Sequence, residues 1–143
     1  MRLPHIVLLL VIMLLTGCSA AHSSNTIIEY QRTGGFLNRE DRLVLHADGH
    51  GVITQAGQQR PMVLTPDELQ HLVGMIEAAG FRQLRQAYRA PASATDLVTY
   101  QIIYDGYRVS VMDTAIPVVL QSAIDSLNTI IDSLPLGAET QQL

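Results

Sequence analysis

The sequence predicts an α+β domain: an antiparallel sheet of four to five strands, built from hairpins, with two helices packed on one of its faces. Three observations predict it. Short β-branched or aromatic runs are separated by Gly-Gly and Asp-Gly turns, a capped amphipathic helix interrupts them, and a longer amphipathic helix follows the last hairpin. At 143 residues the chain has room for one domain, and a domain of this size buries enough surface to fold without metal or disulfide.

Residues 26–32 (Thr-Ile-Ile-Glu-Tyr-Gln-Arg) alternate partially and run into Thr33-Gly34-Gly35, a strand followed by a turn. Residues 42–47 and 52–54 flank Asp48-Gly49-His50-Gly51 and read as a hairpin, with a short edge strand expected around Pro61-Met62-Val63-Leu64. Next come Thr65 as N-cap, Pro66 at the first helical position and Glu68 three residues after the cap, which compose a capping box. Leu69, Leu72, Val73 and Ile76 recur at helical spacing, and Gly80 stops the helix with Phe81 and Leu84 placed to fold back on it.

The second hairpin, residues 98–104 and 107–113, carries its own register test. With Asp105-Gly106 as a two-residue turn, one face opposes Tyr104 to Tyr107, Ile102 to Val109 and Tyr100 to Val111, all apolar or aromatic. The other face opposes Ile103 to Arg108, Gln101 to Ser110 and Thr99 to Met112, which is mostly polar. A sheet covered on one side only is expected. After Pro117, a stripe of Leu120, Ala123, Ile124, Leu127, Ile130, Ile131 and Leu134 makes the second helix, which Pro135 ends.

Before the domain lies a different kind of segment. Met1-Arg2 precedes an apolar run over residues 6–15, too short to span a bilayer but right for an export signal, and Leu15-Thr16-Gly17-Cys18 follows. Those four residues look like the bacterial lipoprotein signal, in which small residues before an obligatory Cys admit the processing peptidase. The alternative is a buried Cys at the end of an ordinary signal peptide. Cys18 is the sole Cys of the chain and falls where lipidation requires it. The expected organisation is a signal peptide over 1–17, a lipidated tether over 18–25, one domain over 26–134 and a flexible tail over 135–143. Two or three acyl chains on Cys18 would anchor the mature protein to the outer side of a bacterial cytoplasmic membrane or to the outer membrane. His22, in the tether, reads as a solvated residue.

Composition closes several function classes. The nine basic residues are all Arg, so no Schiff-base or phosphate-loop lysine exists, and a net charge of −4 with no basic tract argues against nucleic acid. The serines lack a glycine-flanked nucleophile elbow, and Glu40-Asp41 and Asp67-Glu68 are adjacent pairs that do not face one another. The reading is therefore not an enzyme, with no cofactor, and a monomer. His46, Asp48 and His50 are the one candidate metal cluster, but in a two-residue Asp48-Gly49 turn His50 would oppose Ala47 and point away from His46, so turn decoration is expected and no metal. His71 reads as an exposed structural residue. Arg82, Arg85 and Arg89 with Tyr88 could form a small basic patch, or simply a solvated loop.

As a whole, Ile28-Glu29-Tyr30-Gln31-Arg32-Thr33-Gly34-Gly35-Phe36, a hairpin with Asp48-Gly49, a capped helix ending Ala78-Ala79-Gly80-Phe81 with Leu84, and Asp96-Leu97-Val98-Thr99-Tyr100 resemble the emfourin family. The resemblance rests on the order and spacing of these short motifs. It differs from the unanchored family inhibitor in carrying a lipoprotein leader. It implies an inhibitor of a secreted thermolysin-like zinc metalloprotease, an enzyme class that favours a bulky apolar residue just after the scissile bond. Such an inhibitor presents a rigid, already ordered segment to the cleft. Gly34, Gly35, Phe36 and Leu37 offer one, with Phe36 or Leu37 expected to dock. The alternative is that the glycines merely supply positive φ and Phe36 folds onto the sheet as core. A rival function is a scaffolding or small-ligand-binding lipoprotein, which an uncovered face of Tyr100, Tyr104 and Tyr107 would serve.

Overall fold

A computed structural model of the protein describes residues 25–133. The expected leader, Cys18 with its lipid, most of the tether including His22, and the expected tail lie outside them. The chain forms β1 (Thr26–Gly34), β2 (Arg39–His46), β3 (His50–Gln55) and β4 (Gln58–Val63), then helix α1 (Pro66–Ala78). After a 3₁₀ turn at Phe81–Gln83 come β5 (Ala87–Tyr88), β6 (Val98–Tyr104) and β7 (Tyr107–Met112), a second 3₁₀ turn, and helix α2 (Val118–Asp132).

This is an α+β fold, with a seven-stranded sheet in the order β4-β3-β2-β1-β6-β7-β5. The strand count exceeds the expected four to five for identifiable reasons. The edge strand starts at Gln58 rather than near Pro61, its first residues being polar because it pairs only on one side. Strand β5 is two residues long and runs parallel to β7, too short to leave a periodic signal. The register of the second hairpin is the one its turn implied, from Tyr104 opposite Tyr107 to Thr99 opposite Met112.

Inward residues alternate along the central strands: Ile28, Tyr30 and Arg32 on β1, Leu43 and Leu45 on β2, Ile53 on β3 and Ile102 on β6. Both helices cover that face. In α1, Thr65 and Glu68 close the capping box reciprocally, Leu72 and Ile76 are buried, and Gly80 (φ 63°) turns the chain so that Phe81 enters the core. Helix α1 reaches the β6 and β7 side, where the Tyr104 hydroxyl donates to Glu77 Oε1 at 2.7 Å. Helix α2 buries Leu120, Ala123, Ile124, Leu127 and Ile131 and returns to β1 and β2. It closes at Asp132, with Ser133 as C-cap, short of the expected Pro135 stop, which lies outside the described residues. Among the described residues, no helix is long and apolar enough to cross a membrane.

Candidate functional site

The link between β1 and β2 is built to hold two hydrocarbon side chains in water. Gly34 (φ 89°) sits opposite Arg39 at the end of the ladder, and a Cβ on it would stand 2.8 Å from the Leu97 carbonyl oxygen. That approach and the positive φ both demand glycine. The Gly35 N–H donates to the same Leu97 carbonyl at 3.1 Å, and the Gly35 carbonyl accepts from the Asn38 N–H at 2.9 Å. Asn38 takes the left-handed conformation (φ 45°), which its short polar side chain tolerates better than most. The turn is thus closed on itself and stapled to the segment before β6. Phe36 and Leu37 at its tip are 89% and 70% exposed. Of the two readings of Phe36, the core reading is corrected: the turn carries its ring away from the sheet. Beside Leu37 opens a groove of about 690 Å³ with a polar floor that includes Gln31, Arg42, Thr54 and Gln59.

The stem of this loop rests on a buried polar cluster. Arg32 is 3% exposed on the core side of β1, directly opposite Asp41 of β2, which is 8% exposed. Its Nε donates to Asp41 Oδ2 at 2.6 Å, Nη1 donates to Asp132 Oδ2 at 3.1 Å and to Asn128 Oδ1 at 3.3 Å, and Nη2 completes a two-pronged grip on Asp132. The Tyr30 hydroxyl donates to Asn128 Oδ1 at 2.8 Å. Burial disfavours the Arg32 charge, but the hydrogen bonds to Asp132 and Asp41 outweigh it and raise the pKa further. The same hydrogen bonds hold the Asp132 carboxyl below the usual carboxylate range. Sequence reasoning missed this cluster. A signal existed: Arg32 has the parity of Ile28 and Tyr30, so an inward-facing strand places a guanidinium in the core, where it must find carboxylates.

At the other end of β2 stand His46, Asp48 and His50. The loop is Ala47-Asp48-Gly49, three residues, with the Gly49 N–H donating to the His46 carbonyl at 3.0 Å. Pairing of Leu45 with Gly51 then sets His46 opposite His50, on the outer face, so the expected divergence of the two imidazoles is corrected. Two local hydrogen bonds involve these residues. The Asp48 carboxylate accepts from the His50 N–H at 3.0 Å, and His46 Nδ1 lies 3.2 Å from Thr26 Oγ1. Among the described residues no group of three or more His, Cys, Asp or Glu is placed to hold a metal ion.

The remaining candidates disperse. Tyr100, Tyr104 and Tyr107 are half-buried beneath the helices: Phe81 meets the rings of Tyr104 and Tyr107 edge-on at 6.1 and 6.0 Å, Tyr100 stacks on Tyr30 at 6.3 Å, and the Tyr107 hydroxyl donates to the Leu84 carbonyl at 2.7 Å. The open aromatic face that a small-ligand role would use is therefore covered. Arg82 pairs with Asp105, while Arg85 lies over the Tyr88 ring at 4.7 Å, so these two arginines are engaged separately. His71 is exposed on α1. Two adjacent pairs of large apolar side chains stand exposed among the described residues, Phe36–Leu37 at the tip of the β1–β2 loop and Val118–Val119 in the first turn of α2. The chemistry of the loop tip is limited, since Phe36 and Leu37 can bury apolar surface against a partner but cannot move a proton. No protein-family model matches the chain, and no curated protein matches it.

Proposed function

We propose that this is a non-catalytic bacterial lipoprotein, anchored by acyl chains on Cys18, whose β1–β2 loop binds and blocks a secreted thermolysin-like zinc metalloprotease, as the emfourin resemblance implies. One observation carries the reading: adjacent apolar side chains at Phe36 and Leu37 stand exposed on a turn whose ends are locked by hydrogen bonds to Leu97 and within Gly35–Asn38. An exposed apolar pair adds nothing to the core, and this one, unlike Val118–Val119 on the first turn of α2, projects from the tip of a closed turn where a partner's cleft can take it. Because the turn is already ordered, binding does not have to order it, which is what a competitive inhibitor of a peptide-cleaving enzyme requires.

The test is a titration of lipid-free residues 19–143 against a thermolysin-like protease with a peptide substrate. Inhibition is expected for the wild type and for Phe36→Leu. Phe36→Asp is expected to abolish it, since each fully buried side chain of this size contributes about 1.5–3 kcal/mol, or roughly 10- to 100-fold in affinity. No inhibition by the folded wild type, or inhibition by folded Phe36→Asp and Leu37→Asp variants undiminished from the wild type, would reject the reading.

A further inference from the structure

We infer that the Phe36–Leu37 tip stands at the end of the domain remote from the lipid, and that it meets a soluble protein offering a concave apolar pocket rather than the bilayer; this rests on the anchoring through Cys18 proposed above. Strand β1 is both the continuation of the tether and the stem of the loop. It runs unbroken from Thr26 to Gly34, about 30 Å of extended chain. Its start is pinned, since the Ala47 N–H donates to the Asn25 carbonyl at 3.0 Å and the Asp105 N–H donates to the Ile27 carbonyl at 3.3 Å. The chain between Cys18 and Asn25 therefore cannot lengthen by peeling off β1, and its reach is at most roughly 25 Å.

The two ends of the sheet also differ in surface. The near end presents the turns at Asp48 and Asp105, both exposed and polar, with Asp105 paired to Arg82. Val63, opposite His50, is exposed there too, but it is single and lacks the neighbour that makes Phe36 and Leu37 a continuous apolar tip. The far end holds that tip, closed onto Leu97. A chain with a formal net charge of −4, one unit more negative once Arg2 leaves with the leader, is repelled by anionic lipid, which opposes the domain lying down to bring its tip to the surface. An apolar tip lifted away from the bilayer has a protein as its counterpart.

The experiment uses the mature lipidated protein in vesicles of phosphatidylethanolamine and phosphatidylglycerol. With Cys18 acylated, a new cysteine is the free thiol for a donor dye. Arg39→Cys and Ala47→Cys are both at exposed positions, at the start of β2 and just past its end, about 27 Å apart along one strand. Neither alters the tip. Energy transfer to headgroup-labelled lipid is expected to be several-fold weaker from position 39 than from position 47, with the position 39 dye fully open to aqueous iodide. Equal or reversed transfer, or shielding of position 39 from iodide, overturns the inference in favour of membrane insertion. Protein that fails to float with the vesicles overturns the anchoring and the inference with it. Absence of protease inhibition leaves this measurement intact, so the two failures are distinguishable.

Discussion

The two turns that flank β2 invite comparison, because both carry conspicuous residues and only one presents them as adjacent exposed apolar side chains. At Ala47–Gly49 polar groups brace the turn: Asp48 holds the His50 N–H and His46 meets Thr26. At Gly35–Asn38 the backbone is equally well closed, yet the side chains at the tip touch water. A cluster of reactive residue types is therefore a poor guide to function when its members serve to brace a turn. Unspent apolar surface on a rigid frame is a better one.

Substitutions at the two ends sharpen that contrast. The largest loss of stability is expected from Arg32→Met under the far turn, because it leaves Asp41 buried without its cation. The expected cost is about 3–5 kcal/mol by urea denaturation, and Arg32→Met with Asp41→Leu should recover most of it. A double variant no better than the single would mean that the cluster is not the stem's main support. Next in size are the turn glycines. A Cβ at Gly49 would stand 2.5 Å from the Leu64 carbonyl oxygen and one at Gly34 2.8 Å from that of Leu97, both at positive φ. Alanine at either should cost about 1–3 kcal/mol, whereas Gly57→Ala, which meets open space, should cost less. Equal melting temperatures for the three variants would break the argument.

The ends should also fail at opposite extremes of pH. The Tyr104 hydroxyl near the first end is pushed up to about 12 by burial and its hydrogen bond to Glu77. A folded pKa above the unfolded value near 10 gives stability that is present below pH 10 and lost as pH rises toward 12. Asp132 at the far end is depressed by Arg32, so its contribution is present above about pH 4 and lost on further acidification. Alkaline denaturation should therefore flatten in Tyr104→Phe, and acid denaturation in Asp132→Asn; the reverse pattern would show the helix ties to be wrongly assigned. The smallest stability effect belongs to the residue proposed to dock. Phe36→Asp should change the unfolding free energy by no more than about 0.5 kcal/mol, because Phe36 is 89% exposed, and a larger loss would return its ring to the core.

Much of this fold is legible locally. Thr65, Pro66 and Glu68 define a helix start through contacts three residues apart, and Asp105-Gly106 sets the register of six residue pairs because a two-residue turn leaves no slack. Other features are not local. The turn before His50 differs from its expected length by one residue, enough to move an imidazole to the other face. Strand β5 exists only because β7 offers an edge to Ala87 and Tyr88.

The division runs along sequence separation. Residues a few places apart determined the caps, the hairpin turns, the apolar stripes and the glycines flanking the loop, because their energetics are settled within one or two turns of chain. Packing alone decided that Arg32 meets Asp132 across 100 residues, and that Phe36 points outward while Phe81 points in. Both phenylalanines are apolar and follow a glycine. Burial depends on whether another element arrives to cover the ring, and that is a property of the assembled sheet and helices.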